Sequence, residues 1–193
     1  MALDENALID FAKMQAYVPT LLAGEQAHVE DLINVASAAI NGYCKRKLKA
    51  RDHIVTLDGT GRNELLLPEY PIVSVAHLYI DPNWLFGPST EVDSTIYTIY
   101  KERGVLWSWS GFPLYPQCVK SEFRAGFEEG AVPQDLQIAA VETVAWYLDR
   151  FRGEGRVGVR QIQNPDGIAT TFEPDIPLSA KFRLDPYVRP EVS

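Results

Sequence analysis

The sequence predicts an α+β fold: a small helical bundle packed with a short antiparallel sheet, plus a long loop insertion and an extended C-terminal arm. Three observations carry this reading. Apolar residues recur at helical spacing near the N-terminus and again over 133–152, whereas 53–124 breaks into short β-rich runs separated by turn residues. The 193 residues are 46% hydrophobic and 11% aromatic, enough for one domain with a real core. The stretch 153–193 then changes character, holding five of the 13 prolines.

Taken in order, Leu3, Ala7, Leu8, Phe11 and Met14 mark a first helix that Pro19 closes. A stronger helix runs from Glu25 to Arg46, with Val29, Leu32, Ile33, Ala36, Ile40 and Tyr43 as its apolar stripe. Acidic residues lie near its start and Lys45, Arg46 and Lys47 at its end, the order that the helix dipole favours. Six strands follow: His53 to Leu57, Glu64 to Leu67, Ile72 to Ile80, Ile96 to Tyr100, Val105 to Trp109, and Val119 to Phe123. Asp58-Gly59-Thr60-Gly61 reads as a hairpin turn between the first two. Arg103-Gly104 reads as a second tight turn, and residues 81–89 as a long loop around Trp84 and Leu85. The third helix starts at Pro133 and ends near Arg152, where Gly153 is placed to cap it.

Domain organisation follows: 1–152 as a helical/β domain and 153–193 as an extended arm. The arm shows short possible strands at Val157 to Gln163 and Ile168 to Phe172, and no helical period. Ile162, Phe172, Ile176, Phe182, Leu184, Tyr187 and Val188 punctuate it like anchors. Such a segment orders by lying on its own body or on a neighbouring chain.

The charge disfavours one broad class. Eighteen Lys and Arg against 26 Asp and Glu give −8, unlike a general nucleic-acid binder that must neutralise phosphates. No apolar run is long enough for a spanning helix, and the acidic start is no secretory signal. Two cysteines, Cys44 and Cys118, make no disulfide framework, so a soluble intracellular protein with free thiols is expected.

Reactive constellations are scarce. His28, His53 and His77 stand apart, without metal-ligand spacing, and no cofactor or metal is expected. Cys44 has Lys45 and Arg46 beside it, which could lower its pKa, but free cysteine is commonly buried and inert, and its helix-end place beside Tyr43 fits packing. The basic run Lys45, Arg46, Lys47, Lys49 and Arg51 could meet phosphate or an acidic partner, or be a solvated helix end. Trp84 and Phe86, with Trp107, Trp109, Phe112 and Tyr115, are either interface anchors or a local core under a long loop.

The order of elements resembles the head–tail connector adaptor (head completion) proteins of long-tailed bacteriophages. The matching stretches are the helix ending Asn41-Gly42-Tyr43-Cys44-Lys45-Arg46, then Leu65-Leu66-Leu67-Pro68-Glu69-Tyr70-Pro71-Ile72-Val73-Ser74-Val75. Tyr97 to Tyr100 with Gly104-Val105-Leu106 follow, then Phe123-Arg124-Ala125-Gly126-Phe127 and Val132-Pro133-Gln134-Asp135-Leu136 opening a helix. The insertion around Pro82 to Thr95 and the arm from Gly153 depart from the family pattern.

The resemblance implies a non-enzymatic structural protein of the virion neck, assembled in host cytoplasm. It implies a ring of twelve copies between the portal protein and a stopper or other tail-side neck protein, with DNA passing through unbound. Partner contacts would fall in the departing regions, with Trp84, Phe86, Arg156, Arg160, Phe172, Phe182 and Tyr187 as interface candidates. Two alternatives stay open: another neck protein (a stopper or tail-completion protein), and a small cytoplasmic enzyme using Cys44 or a histidine.

Overall fold

The computed structural model describes residues 2–152, 159–164, 167–172 and 175–189, with backbone alone over the 159–172 strands. The elements are α1 (Phe11–Tyr17), α2 (Gln26–Cys44), β1 (Arg51–Leu57), β2 (Glu64–Leu66), β3 (Ile72–Ile80), β4 (Tyr97–Tyr100), β5 (Val105–Ser108), β6 (Val119–Ala125), α3 (Gln134–Arg152), β7 (Val159–Asn164), β8 (Gly167–Phe172) and α4 (Leu178–Leu184). This is the expected α+β class. The chain divides into a helical unit, Met1–Leu48 with Val132–Ser193, and a β unit, Lys49–Ala131.

In the helical unit, the predicted apolar stripe of α2 is buried as read: Val29, Leu32, Ile33, Ala36 and Ile40. Leu136, Ala140, Val144 and Leu148 of α3 join them. The first helix begins later than the apolar spacing implies. Asp10 caps it by accepting from the Lys13 N–H at 2.7 Å, so the chain before it is non-helical. Ala7, Leu8 and Ile9 are buried all the same, and the Leu8 N–H donates to Ser37 Oγ at 3.1 Å.

The expectation of no helix beyond 153 is corrected by α4. Seven residues are too few to signal a period, yet Ala180 and Leu184, with Ile176 just before, are buried core. Tyr43 Oη donates to Asp185 at 2.6 Å, the Arg189 N–H donates to Cys44 O at 3.0 Å, and Arg183 meets Glu142 at 3.3 Å. A cut at Gly153 therefore strips apolar contacts from the helical unit.

The β unit holds two three-stranded antiparallel sheets where one sheet was expected, ordered β1-β6-β3 and β2-β5-β4. In the first, Arg51 pairs with Ala125 and Leu57 with Val119, and β3 pairs along the other side of β6 with two register shifts. Central β6 alternates strictly, burying Val119, Ser121, Phe123 and Ala125. In the second, Arg103-Gly104 makes the predicted turn between β4 and β5, with Gly104 at φ 68°. Leu65, Leu67, Leu106 and Phe112 pack with Ile72, Leu78, Cys118, Val119 and Phe123 into the core of this unit.

Asp58-Gly59-Thr60-Gly61 is not a hairpin turn, because β1 and β2 belong to different sheets. The segment is a crossing laid against residues 112–118. A Cβ on Gly59 would stand 1.6 Å from Pro113 O, so glycine is required there by close approach. Beyond these sheets, β7 and β8 pair antiparallel with each other over six residue pairs.

Candidate docking surface

The end of β3 feeds a loop built around one carboxylate. Asp81 is buried, and its Oδ1 accepts from the Asn83 N–H at 2.8 Å. Its Oδ2 accepts from the N–H groups of Leu85 at 3.0 Å and Phe86 at 3.2 Å. These donors, the Asn83 N–H first, hold its pKa below the ordinary carboxylate range. The loop is thereby fixed with Trp84 at φ 60° and Phe86 at φ 47°, a left-handed backbone that non-glycine residues rarely adopt. Strain of this kind persists only where surrounding bonds over-determine it.

A second loop meets the first. Trp84 Nε1 donates to Pro116 O at 3.1 Å, and the Gln117 N–H, in another left-handed residue, donates to Asp58 Oδ1 at 2.7 Å. Gly59 donates to Tyr115 O at 2.9 Å and Gly61 to Phe112 O at 2.7 Å. Segments 58–63 and 109–117 are thus tied together by backbone bonds, and the Trp84 indole ties 81–87 to them. Their apolar side chains project outward: Trp84 is 58% exposed, Leu85 83%, Trp109 81%, Leu114 77% and Tyr115 55%. An apolar cluster of this kind, held rigidly and left in solvent, is the chemistry of a protein–protein contact.

Burial divides the aromatic cluster. Phe112 is core, whereas Trp109 and Tyr115 are surface, with Trp109 edge-on to Trp107 at 4.4 Å. Phe86 is half-buried, its backbone spent on the Asp81 cap. Leu85 and Leu114 carry no signal of their own in the sequence. Asp81-Pro82-Asn83 did carry one, since Asp two residues before a turn commonly caps it. The rest of the insertion is fastened to β3, where the Val92 N–H donates to Leu78 O at 2.7 Å and His77 Nδ1 lies 2.7 Å from Glu91 Oε1.

The basic run divides between the units: Lys45, Arg46 and Lys47 belong to the helical unit, Lys49 and Arg51 to the β unit. Helix α2 ends with Lys45 left-handed at φ 54°, its N–H bonded to Gly42 O and that of Arg46 to Asn41 O, each at 3.2 Å. The reversal exposes Lys45 and Lys47 and buries Arg46. Arg46 is thus no solvated helix end, and its charge bears on the Cys44 thiol and the Tyr187 hydroxyl.

Among the arm candidates, Tyr187 faces inward. Its Oη lies 2.8 Å from both carboxylate oxygens of Asp135, and burial with this bond pushes its pKa up to about 12. Tyr187→Phe is expected to lower the stability of the helical unit by about 1 kcal/mol, read as a shift in urea midpoint. Phe182, 69% exposed on α4, does face solvent. Arg156 lies outside the described residues, and Arg160 and Phe172 are placed by backbone register alone, opposite Thr171 and Val159.

Nucleophilic chemistry finds no support here. Both cysteines are buried, and burial pushes the Cys44 thiol up to about 11, leaving little thiolate at neutral pH. Among the described residues no group of three His, Cys, Asp or Glu could hold a metal ion, and no helix could cross a membrane.

The model of one family, described as head completion protein, matches residues 7–157, which takes in α1 to α3 and both three-stranded sheets. The chain belongs to the head completion protein family. Three solved structures share the fold of this head completion protein along its whole length. They are the neck of an empty GTA particle computed with C6 symmetry (TM-score 0.63, 21% identity, covering 100% of this chain and 95% of that one). The neck of a native GTA particle computed with C12 symmetry gives 0.61 and 20%, covering 100% and 94%. The virion of a native gene transfer agent particle gives 0.63 and 20%, covering 100% and 95%. No curated protein matches the chain.

Proposed function

We propose that this head completion protein is the adaptor of a virion neck: a ring of copies beneath the portal that joins it to the next, tail-side neck protein. The observation that carries this is the family match over 7–157, with full-length structural likeness to chains from particle necks. A twelve-copy ring accords with the C12 symmetry of one of those necks. The net charge of −8 suits a channel through which DNA must slide, because a basic lining would grip its phosphates. The apolar tip of Trp84, Leu85, Trp109, Leu114 and Tyr115, and Phe182 on α4, supply partner contacts.

Affinity purification of the tagged protein from cells assembling particles, with electron-microscopy class averages of what accompanies it, tests the reading. The expected result is a ring-shaped partner of about twelvefold symmetry with this chain stacked upon it. A monomer or dimer free of large partners throughout assembly would overturn it. Replacing Leu85 and Trp109 together by serine is expected to lower recovery in that complex at least tenfold with the fold unchanged, since both side chains already stand in water.

A further inference from the structure

Among the described residues, no third strand covers either outer edge of the hairpin of β7 and β8. A two-stranded hairpin is at best marginal alone in water, because half of its strand hydrogen bonds go to solvent. Natural edge strands also carry guards against pairing: lysine, proline, a bulge, or very short length. This hairpin has none of them. Its strands, Val-Arg-Gln-Ile-Gln-Asn and Gly-Ile-Ala-Thr-Thr-Phe, contain no proline or lysine, and Arg160 is their sole charge. The register runs without a shift from Val159–Phe172 to Asn164–Gly167. These are long, regular, nearly uncharged edges, the kind that another strand completes.

We infer that the hairpin of one copy adds edge to edge to the hairpin of the next, β8 against β7, so that the copies share one continuous antiparallel sheet. The inference rests on the ring reading above. The occupant is a second copy because the two edges differ, one offered by β7 and the other by β8. Such a head-to-tail contact leaves one edge free at each end and closes only when the copies form a ring. The alternation of strand direction is right for it, since β8 and the following β7 run antiparallel as β7 and β8 do within one copy. The geometry is also of the right scale. Twelve hairpins at ~4.8 Å per strand make a circumference of ~115 Å, hence a ring of ~37 Å across, wider once the strands tilt, which leaves DNA free passage. Phe151, at the end of α3, and Asp175, before α4, both line one groove of the helical unit with Leu32, Val35 and Tyr147.

Asn164 and Gly167 lie opposite each other across a two-residue connection, the spacing of a pair that shares the turn hydrogen bond. Counting in twos along β8, Thr170 then has its N–H on the outer edge. Thr170→Pro removes that donor and spares the hairpin's own bonds, whereas Thr170→Val keeps the donor. The experiment expresses full-length wild type and both variants in cells assembling particles. It counts copies per purified particle by quantitative mass spectrometry and images the wild-type neck by electron cryomicroscopy. The expected result is wild-type and Thr170→Val chains in ring stoichiometry, Thr170→Pro below one-tenth of that, and density in which hairpins of adjacent copies run on at one strand spacing. Thr170→Pro at the wild-type level, or a wild-type ring whose hairpins stand apart, would overturn the shared sheet and leave the ring reading intact. Wild-type chain absent from the particles would overturn both.

Discussion

Alanine at Gly59 is expected to unfold the β unit. The added Cβ would lie 1.6 Å from Pro113 O and 2.8 Å from Cys118 Sγ. The first of these is main chain, which cannot swing away as a long side chain can. To make room, segment 58–63 must part from 112–118, and that separation breaks the bonds from Gly59 to Tyr115 O and from Gly61 to Phe112 O. A substitution of this kind costs more than about 4 kcal/mol. A unit of about 80 residues has roughly 4–12 kcal/mol in total. The control is Gly87→Ala, where nothing lies within 4 Å and φ is −97°. That variant is expected to be neutral or more stable by about 0.4–1 kcal/mol, through reduced freedom of the unfolded chain. Thermal and urea unfolding followed by circular dichroism reads both. A Gly59→Ala protein melting with the wild type would mean that the two segments lie further apart than the structure has them.

Phe112 and Trp109, three residues apart, are expected to separate stability from docking. Phe112 is 1% exposed among Leu65, Leu106 and Cys118, and Phe112→Ala is expected to cost about 3–5 kcal/mol. Trp109→Ala removes a side chain that solvent already surrounds and is expected to stay within about 0.5 kcal/mol of wild type. Its effect should appear in recovery of the neck complex instead. Equal losses of stability in the two variants would show that Trp109 is packed, and would remove it from the docking surface.

The contrast between these neighbours also marks how far the sequence could be read. Periodicity located α2, α3 and all six strands of the β unit to within about two residues, because each buries one face and leaves the other in water. It could not tell Phe112 from Trp109, since both sit in a Gly/Pro-bounded loop whose burial depends on which segments cross it. It missed the pairing partners of β1 and β2, because a glycine-rich connection looks alike in a hairpin and in a crossing between sheets. It missed α4, where two or three buried positions do not make a period. Arg46 shows the same limit in electrostatics. A cation at a helix end is ordinarily solvated, and only the left-handed turn at Lys45 brings this one inside. The Asp81 cap is legible only in its bond from Asn83, two residues on; the donors from Leu85 and Phe86 depend on a loop geometry that no spacing rule encodes.

The ends of the β unit have a consequence for how such chains diversify. Where the unit begins, Ala50 donates to Phe127 O at 2.9 Å, and Arg51 stands opposite Ala125. The segments just inside the two ends, 50–51 and 125–127, are thus neighbours, held by the same ladder that orders the sheet. A module with adjoining ends can be lengthened, shortened or exchanged between α2 and α3 while the helices keep their own core. Selection can therefore rework the exposed apolar residues of this unit independently of the core of the helical unit.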